Sequence, residues 1–151
     1  MIIWSDRTLK KESQVRLIKH ITFLEKELED WESFQSLSWE EYNKDRGKRR
    51  NVERWIENVV NSSIDMAKII LVSENVSLPD TYKEIITSLS LVPGFNKENI
   101  EYLSEWVKLR NIISHEYLDI RWKAIKRFIE ETQPFYRSFL EMAKIYIKGK
   151  L

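Results

Sequence analysis

The residues whose types and spacing suit chemistry lie in one stretch, Lys108-Leu109-Arg110-Asn111-Ile112-Ile113-Ser114-His115-Glu116-Tyr117. Here a polar cluster interrupts an apolar helical pattern. Leu103 and Val107 set an apolar stripe whose next positions are Arg110 and Ser114. A guanidinium on such a stripe is costly unless an anionic group meets it. Asn111 and His115 are four apart, so they share a face, and Asn111 can set the tautomer and aim of the imidazole. Arg110 and His115 are five apart, about 140° around an ideal helix. Either the helix ends before His115, or a second copy across a two-fold axis completes the site.

An Arg and a His without a metal cluster suit cleavage of RNA. RNA carries its own nucleophile, the 2′-OH beside the scissile phosphate. A neutral imidazole takes that proton near working pH. A guanidinium holds the phosphate oxygens and stabilises the charge that grows on them. The product is a 2′,3′-cyclic phosphate. DNA lacks the 2′-OH and is not cut by this route. A second reading fits the same residues: a satisfied polar network between helices.

The remaining composition narrows the alternatives. The chain has 151 residues, one domain's worth, and no cysteine. That removes disulfides, thiolate metal sites and cysteine nucleophiles together. His20 is the only other histidine, and no H-E-x-x-H spacing exists, so no metal or other cofactor is expected. Lys plus Arg is 25 and Asp plus Glu is 24, so there is no global basic excess. A local one exists: Lys44, Arg46, Lys48, Arg49, Arg50 and Arg54 are candidate contacts to an RNA backbone, or a solvated helix face. Lys144, Lys148 and Lys150 could add to it or complement a helix dipole. Glu98, Glu101 and Glu105 read as a solvated face. No apolar run approaches a membrane span. The opening Met-Ile-Ile-Trp-Ser-Asp-Arg does not read as a secretory signal, and the expected location is the cytoplasm.

The elements that must position the cluster are helices almost throughout. Leu17, Ile21, Leu24, Leu28 and Trp31 form one seam of a helix predicted over about 6 to 36, capped by Asp6 or Ser5. After a break at 36–38, a capping box of Ser38 and Glu41 opens a second helix to about 74, with Gly47 and the basic run fraying its start. Its seam is Val52, Trp55, Ile56, Val59, Val60, Ala67, Ile70 and Leu71. Thr81 with Glu84 opens a short helix to about 90. Val92-Pro93-Gly94-Phe95 is a turn. Asn96 caps a helix over about 97 to 114, and Leu118-Asp119-Ile120 is a connector. A last helix spans about 121 to 147, kinked or split at Pro134. The sum is a single all-α domain over 1–151, an antiparallel up-and-down bundle of four main helices plus a short fifth. Trp31, Trp55, Trp106 and Trp122 fall on apolar seams and read as core or interface.

The run Arg110-Asn111-Ile112-Ile113-Ser114-His115-Glu116-Tyr117 has the form R-x-x-x-x-H-x-Y. It resembles the signature of the HEPN superfamily, most closely its HepT-like branch. The second helix around Glu53-Arg54, the Pro79-Asp80-Thr81-Tyr82 helix start and the aromatic last helix extend the likeness over about 45 to 147. The resemblance implies a metal-independent endoribonuclease toxin that works as a homodimer, with a minimal nucleotidyltransferase antitoxin as partner. By position, Arg110 would bind phosphate, His115 would act as general base or acid, and Asn111 would orient His115 or substrate. Tyr117 would be the tyrosine that the partner modifies with AMP, blocking the cleft. Some members bind nucleotides or partners without cutting RNA. Two departures stand out. The first helix, with Trp4, Trp31 and Trp39, lies outside the likeness, and Arg121 stands where an acidic residue is expected.

Overall fold

The computed structural model describes residues 9–151. Every regular element among them is helical. The predicted first helix is two: α1 (Lys11–Glu29) and α2 (Trp31–Gln35). Asp30 separates them because its carbonyl accepts from both the Ser33 amide (3.1 Å) and the Ser33 hydroxyl (2.6 Å). α1 starts at Lys11. The expected caps Ser5 and Asp6, and Trp4, lie outside the described residues.

The second predicted helix also divides, into α3 (Trp39–Lys44) and α4 (Arg46–Ser73). The Ser38–Glu41 capping box is present. Asp45 is the reason for the division: its backbone is extended, and its carboxylate accepts from the Lys48 amide as N-cap of α4. The basic run therefore opens α4 as a capped first turn and does not fray.

Thr81 caps α5 (Tyr82–Ser88), its hydroxyl accepting from the Glu84 amide. At Val92–Phe95 the Phe95 amide reaches the Val92 carbonyl at 3.2 Å, with Gly94 at φ 95°. That φ is the type II turn's requirement, and only glycine meets it without strain. Asn96 caps α6 (Lys97–Glu105). A 3₁₀ turn over Trp106–Lys108 then leads into α7 (Leu109–His115). The expected connector at 118–120 is helical instead: only Glu116 and Tyr117 separate α7 from α8 (Leu118–Glu131). Pro134 sits in the first turn of α9 (Gln133–Lys150), where its missing N–H costs nothing, so the last helix is split as its sequence required.

Paired as α1–α2, α3–α4, α6–α7 and α8–α9, with α5 the short extra, these segments form the expected bundle. Backbone anchors fix α1 antiparallel to α4. The Trp55 indole donates to the Glu27 carbonyl at 2.8 Å, and Ser62 reaches the His20 carbonyl at 3.3 Å. His20 sits half-buried at the rim of α1. The Trp31 indole ties α2 to the carbonyl of Ile129 in α8 at 2.9 Å. Trp31 is wholly buried and stacks on Phe128, its other edge meeting Trp55. Phe34, Trp106 and Tyr136 complete this aromatic cluster, which binds the end of α1–α2 to α4, α8 and α9. Buried rings of this size carry much of the core's transfer free energy, and each pair adds about 0.5–1.5 kcal/mol beyond area. Trp122 packs half-buried on Tyr42, and Trp39, also beside Tyr42, is more exposed. α7, which carries the polar cluster, packs against α8 and α4.

Candidate functional site

The 3₁₀ turn decides what α7 presents. It winds about 120° per residue against about 100° in an α-helix, so three residues add about 60° of rotation. The core stripe consequently runs Leu103, Trp106, Leu109, Ile113, all buried. Arg110 is rotated to the edge and is half-buried; Ser114 is exposed. Neither lies on the core stripe, which corrects the spacing argument.

Arg110 lines an open cleft of ≈ 340 Å³ with Asn111, Ser114, Val107, Tyr82, Glu57 and Asn61. Its guanidinium lies over the Tyr82 ring, 4.6 Å from the centroid, and the Lys68 ammonium approaches the same ring at 5.2 Å. Among the described residues no carboxylate lies within ion-pair distance of Arg110. The guanidinium is held by a π face, which leaves its N–H donors available to an anion. The Ser114 hydroxyl is turned back to the Arg110 carbonyl at 2.9 Å, the usual use of a helical serine.

His115 and Tyr117 do not line this cleft. His115 is the last residue of α7 and is exposed, with no hydrogen bond to Asn111, which faces the cleft beside Arg110. Tyr117 is 82% exposed and is the N-cap residue of α8. Within one chain, therefore, Arg110 and Asn111 come together, and His115 stands apart at the helix end, as the angular separation of Arg110 and His115 required.

The basic run divides into two groups. Lys44 pairs with Glu40 at 3.0 Å and Lys48 with Glu41, whose carboxyl is held below its ordinary range chiefly by that lysine. Arg49 donates to the carbonyls of Tyr42 and Asn43, fastening the C-terminus of α3. Arg46, Arg50 and Arg54 recur every four residues on one exposed stripe of α4. Arg50 and Arg54 border a second groove, with Gly47, Asn51, Glu53 and Glu57. Glu57 belongs to both grooves, so the arginine stripe runs into the Arg110 cleft. At the other end, Lys144 pairs with Glu25, and Lys150 with Glu74 at 2.8 Å.

Tyr82, Glu57 and Asn61 escaped the sequence reading as site residues. Glu57 and Asn61 are a polar i, i+4 pair flanking the α4 seam, which was the available signal. Arg121, the unexpected basic residue, has a partner: it pairs with Glu53 at 3.3 Å and donates to the Glu116 carbonyl at 2.7 Å. Tyr42 donates to the same Glu53 carboxylate. Burial first, then that carboxylate, raises the phenol far above its ordinary range and keeps it a donor. Among the described residues no cluster of three or more His, Cys, Asp or Glu side chains could hold a metal ion, and no helix is long and apolar enough to cross a membrane.

An all-α bundle with an arginine-walled cleft on its third helix pair is the class of protein that fold and site define. The profile of the family described as "Ribonuclease HepT-like" matches residues 24–143, and the chain belongs to that family. The match takes in the last third of α1 and all of α2, so Trp31 and Trp39 fall within the family's span after all. Among solved structures, the chain is similar to a tri-AMPylated Shewanella oneidensis HEPN toxin in complex with MNT antitoxin. The TM-score is 0.74 at 16% identity, over 86% of this chain and 97% of that one. A comparison with curated protein sequences gives no match.

Proposed function

We propose that the protein is a metal-independent endoribonuclease toxin. The observation that carries the reading is the Arg110 guanidinium: open to an anion, without a carboxylate partner among the described residues and continuous with the α4 arginine stripe. Arg110 binds the scissile phosphate and stabilises the charge developing on it. His115 takes the 2′-OH proton or returns one to the leaving oxygen. Asn111, on the cleft wall, orients the substrate. Since His115 lies outside the cleft of its own chain, the site is completed across a homodimer, where one copy's His115 approaches the other's Arg110. Arg46, Arg50 and Arg54 track the RNA backbone; Lys44, Lys48 and Arg49, already engaged, contribute less.

The regulator, on this reading, is a minimal nucleotidyltransferase antitoxin that attaches AMP to Tyr117. The exposure of Tyr117 suits that modification, and the likeness to an AMPylated HEPN toxin supports it. Added phosphates near the cleft compete with RNA for the same cations. A second reading, a non-catalytic module that binds a nucleotide or a partner loop, is favoured by the separation of His115 from the cleft. Substrate chemistry separates the two. The nuclease leaves 2′,3′-cyclic ends on RNA and spares an RNA with one 2′-deoxy residue at the cleavage site. The binding module holds both strands and cuts neither.

A further inference from the structure

The two residues between α7 and α8 carry the chemistry's placement, because one precedes and the other is Tyr117, and His115 is the residue before them. Both are extended, Glu116 at φ −92°, ψ 162° and Tyr117 at φ −70°, ψ 160°. The Glu116 amide still closes on Ile112 at 3.0 Å, and the Tyr117 carbonyl accepts from the Arg121 amide at 2.9 Å. The Glu116 carbonyl, at the hinge itself, is held by a side chain: Arg121 Nε donates to it at 2.7 Å. The other arm of that guanidinium reaches Glu53 on α4, and Tyr42 of α3 donates to the same carboxylate oxygen. Arg49 in turn donates to the Tyr42 carbonyl at 3.2 Å. The side chains of Arg121 and Glu53 are only 23% and 14% exposed, while Glu116 and Tyr117 themselves are exposed.

From this geometry we infer that Arg121, braced by Glu53 and Tyr42, is a positioning residue that fixes the His115–Tyr117 turn against α4. The inference rests on the ribonuclease reading for its functional consequence. A guanidinium suits the task because its planar fork serves two acceptors at once in fixed geometry; an ammonium does not. Glu53 also borders the Arg50–Arg54 groove, so the brace ties the turn that carries the proton-transfer residue to α4 of its own chain. Reactions that depend on held geometry lose rate steeply when the geometry loosens, about 100-fold for a displacement near 1 Å. Arg121 touches no reacting atom in this scheme, so its loss acts on turnover and leaves strand binding intact.

The test uses the full chain with Arg121→Gln, Arg121→Lys and Glu53→Gln, kcat and KM for cleavage of a single-stranded RNA, and backbone order parameters of Glu116 and Tyr117. Arg121→Gln is expected to lower kcat about 10- to 100-fold with KM within about 2-fold. The two amides are expected to fall from about 0.85, a rigid backbone, to below about 0.6. Arg121→Lys, which keeps the charge opposite Glu53, recovers part of both. If Arg121→Gln does not fold, Glu53→Gln carries the same expectation for kcat and for the two amides, though not for KM, because Glu53 borders the strand groove. Amides that stay rigid in the folded variants overturn the inference, and so do amides that loosen while kcat stays at the wild-type value. A wild type that leaves RNA intact overturns the ribonuclease reading instead, and the amide readout still decides whether Arg121 holds the turn.

Discussion

Replacing Arg50 and Arg54 by glutamine should weaken RNA binding by an amount that salt reveals. In a His115→Ala background, which on the proposed mechanism does not cut, the binding cations are those free to meet phosphate. Among the described cations of the basic run and the cleft, four qualify: Arg46, Arg50 and Arg54 on the α4 stripe, and Arg110 in the cleft. Lys44 and Lys48 do not, because Glu40 and Glu41 neutralise them and would stay beside the strand. Each phosphate contact on a single strand contributes about 0.7 to the slope of log affinity against log salt, so four give about −2.8. The Arg50→Gln, Arg54→Gln variant should give about −1.4. Between about 50 and about 200 mM salt, affinity should fall about 50-fold for the parent and about 7-fold for the variant. Fluorescence anisotropy with a labelled single-stranded RNA across a salt series measures both slopes. Lys44→Gln with Lys48→Gln should leave the slope unchanged. If that pair lowers the slope as much as the arginine pair does, the division of the basic run is wrong.

Three further outcomes follow from the contacts. Trp31→Ala empties the centre of the buried aromatic cluster and should destabilise the protein by about 3–5 kcal/mol in urea unfolding. Tyr82→Ala removes the π face beneath a partly exposed Arg110. It should raise KM for RNA and cost little stability, since an exposed cation–π contact is worth about 0.5–1 kcal/mol. Burial raises the Tyr136 phenol above its ordinary value of 10.0, so above pH 10 the unfolded chain releases a proton that the native one keeps. The Tyr136 contribution is then full below pH 10 and falls by about 1.4 kcal/mol per pH unit above it, which denaturant titrations of the protein and of Tyr136→Phe at alkaline pH measure by difference. Tyr42 and Tyr146, raised by burial too, act in the same direction.

The helices were legible because their seams repeat at helical spacing, as Leu17 to Trp31 and Val52 to Leu71 do. Single-residue interruptions were harder to read. Asp30 and Asp45 end helices through local hydrogen bonds to Ser33 and Lys48, which periodicity does not encode. The 3₁₀ turn at Trp106–Lys108 is a packing event: Trp106 seats against Phe128, and the tighter winding moves Arg110 off the core stripe. Arg110 and Asn111 could be named from a short motif, since neighbours on one helix share a wall. Tyr82, Glu57 and Asn61 could not, because two other helices, α4 and α5, bring them to that wall. Arg121 looked like a departure until Glu53, 68 positions away, supplied its partner.

The central claim is metal-independent RNA cleavage by Arg110 and His115. The most direct measurement is RNA cleavage in EDTA by protein whose Tyr117 is unmodified by mass, alongside His115→Ala at matched thermal stability. Wild type is predicted to cut and leave 2′,3′-cyclic ends, and the variant to leave the RNA whole. Cleavage that vanishes in EDTA and returns with magnesium, or that survives His115→Ala, would contradict the account.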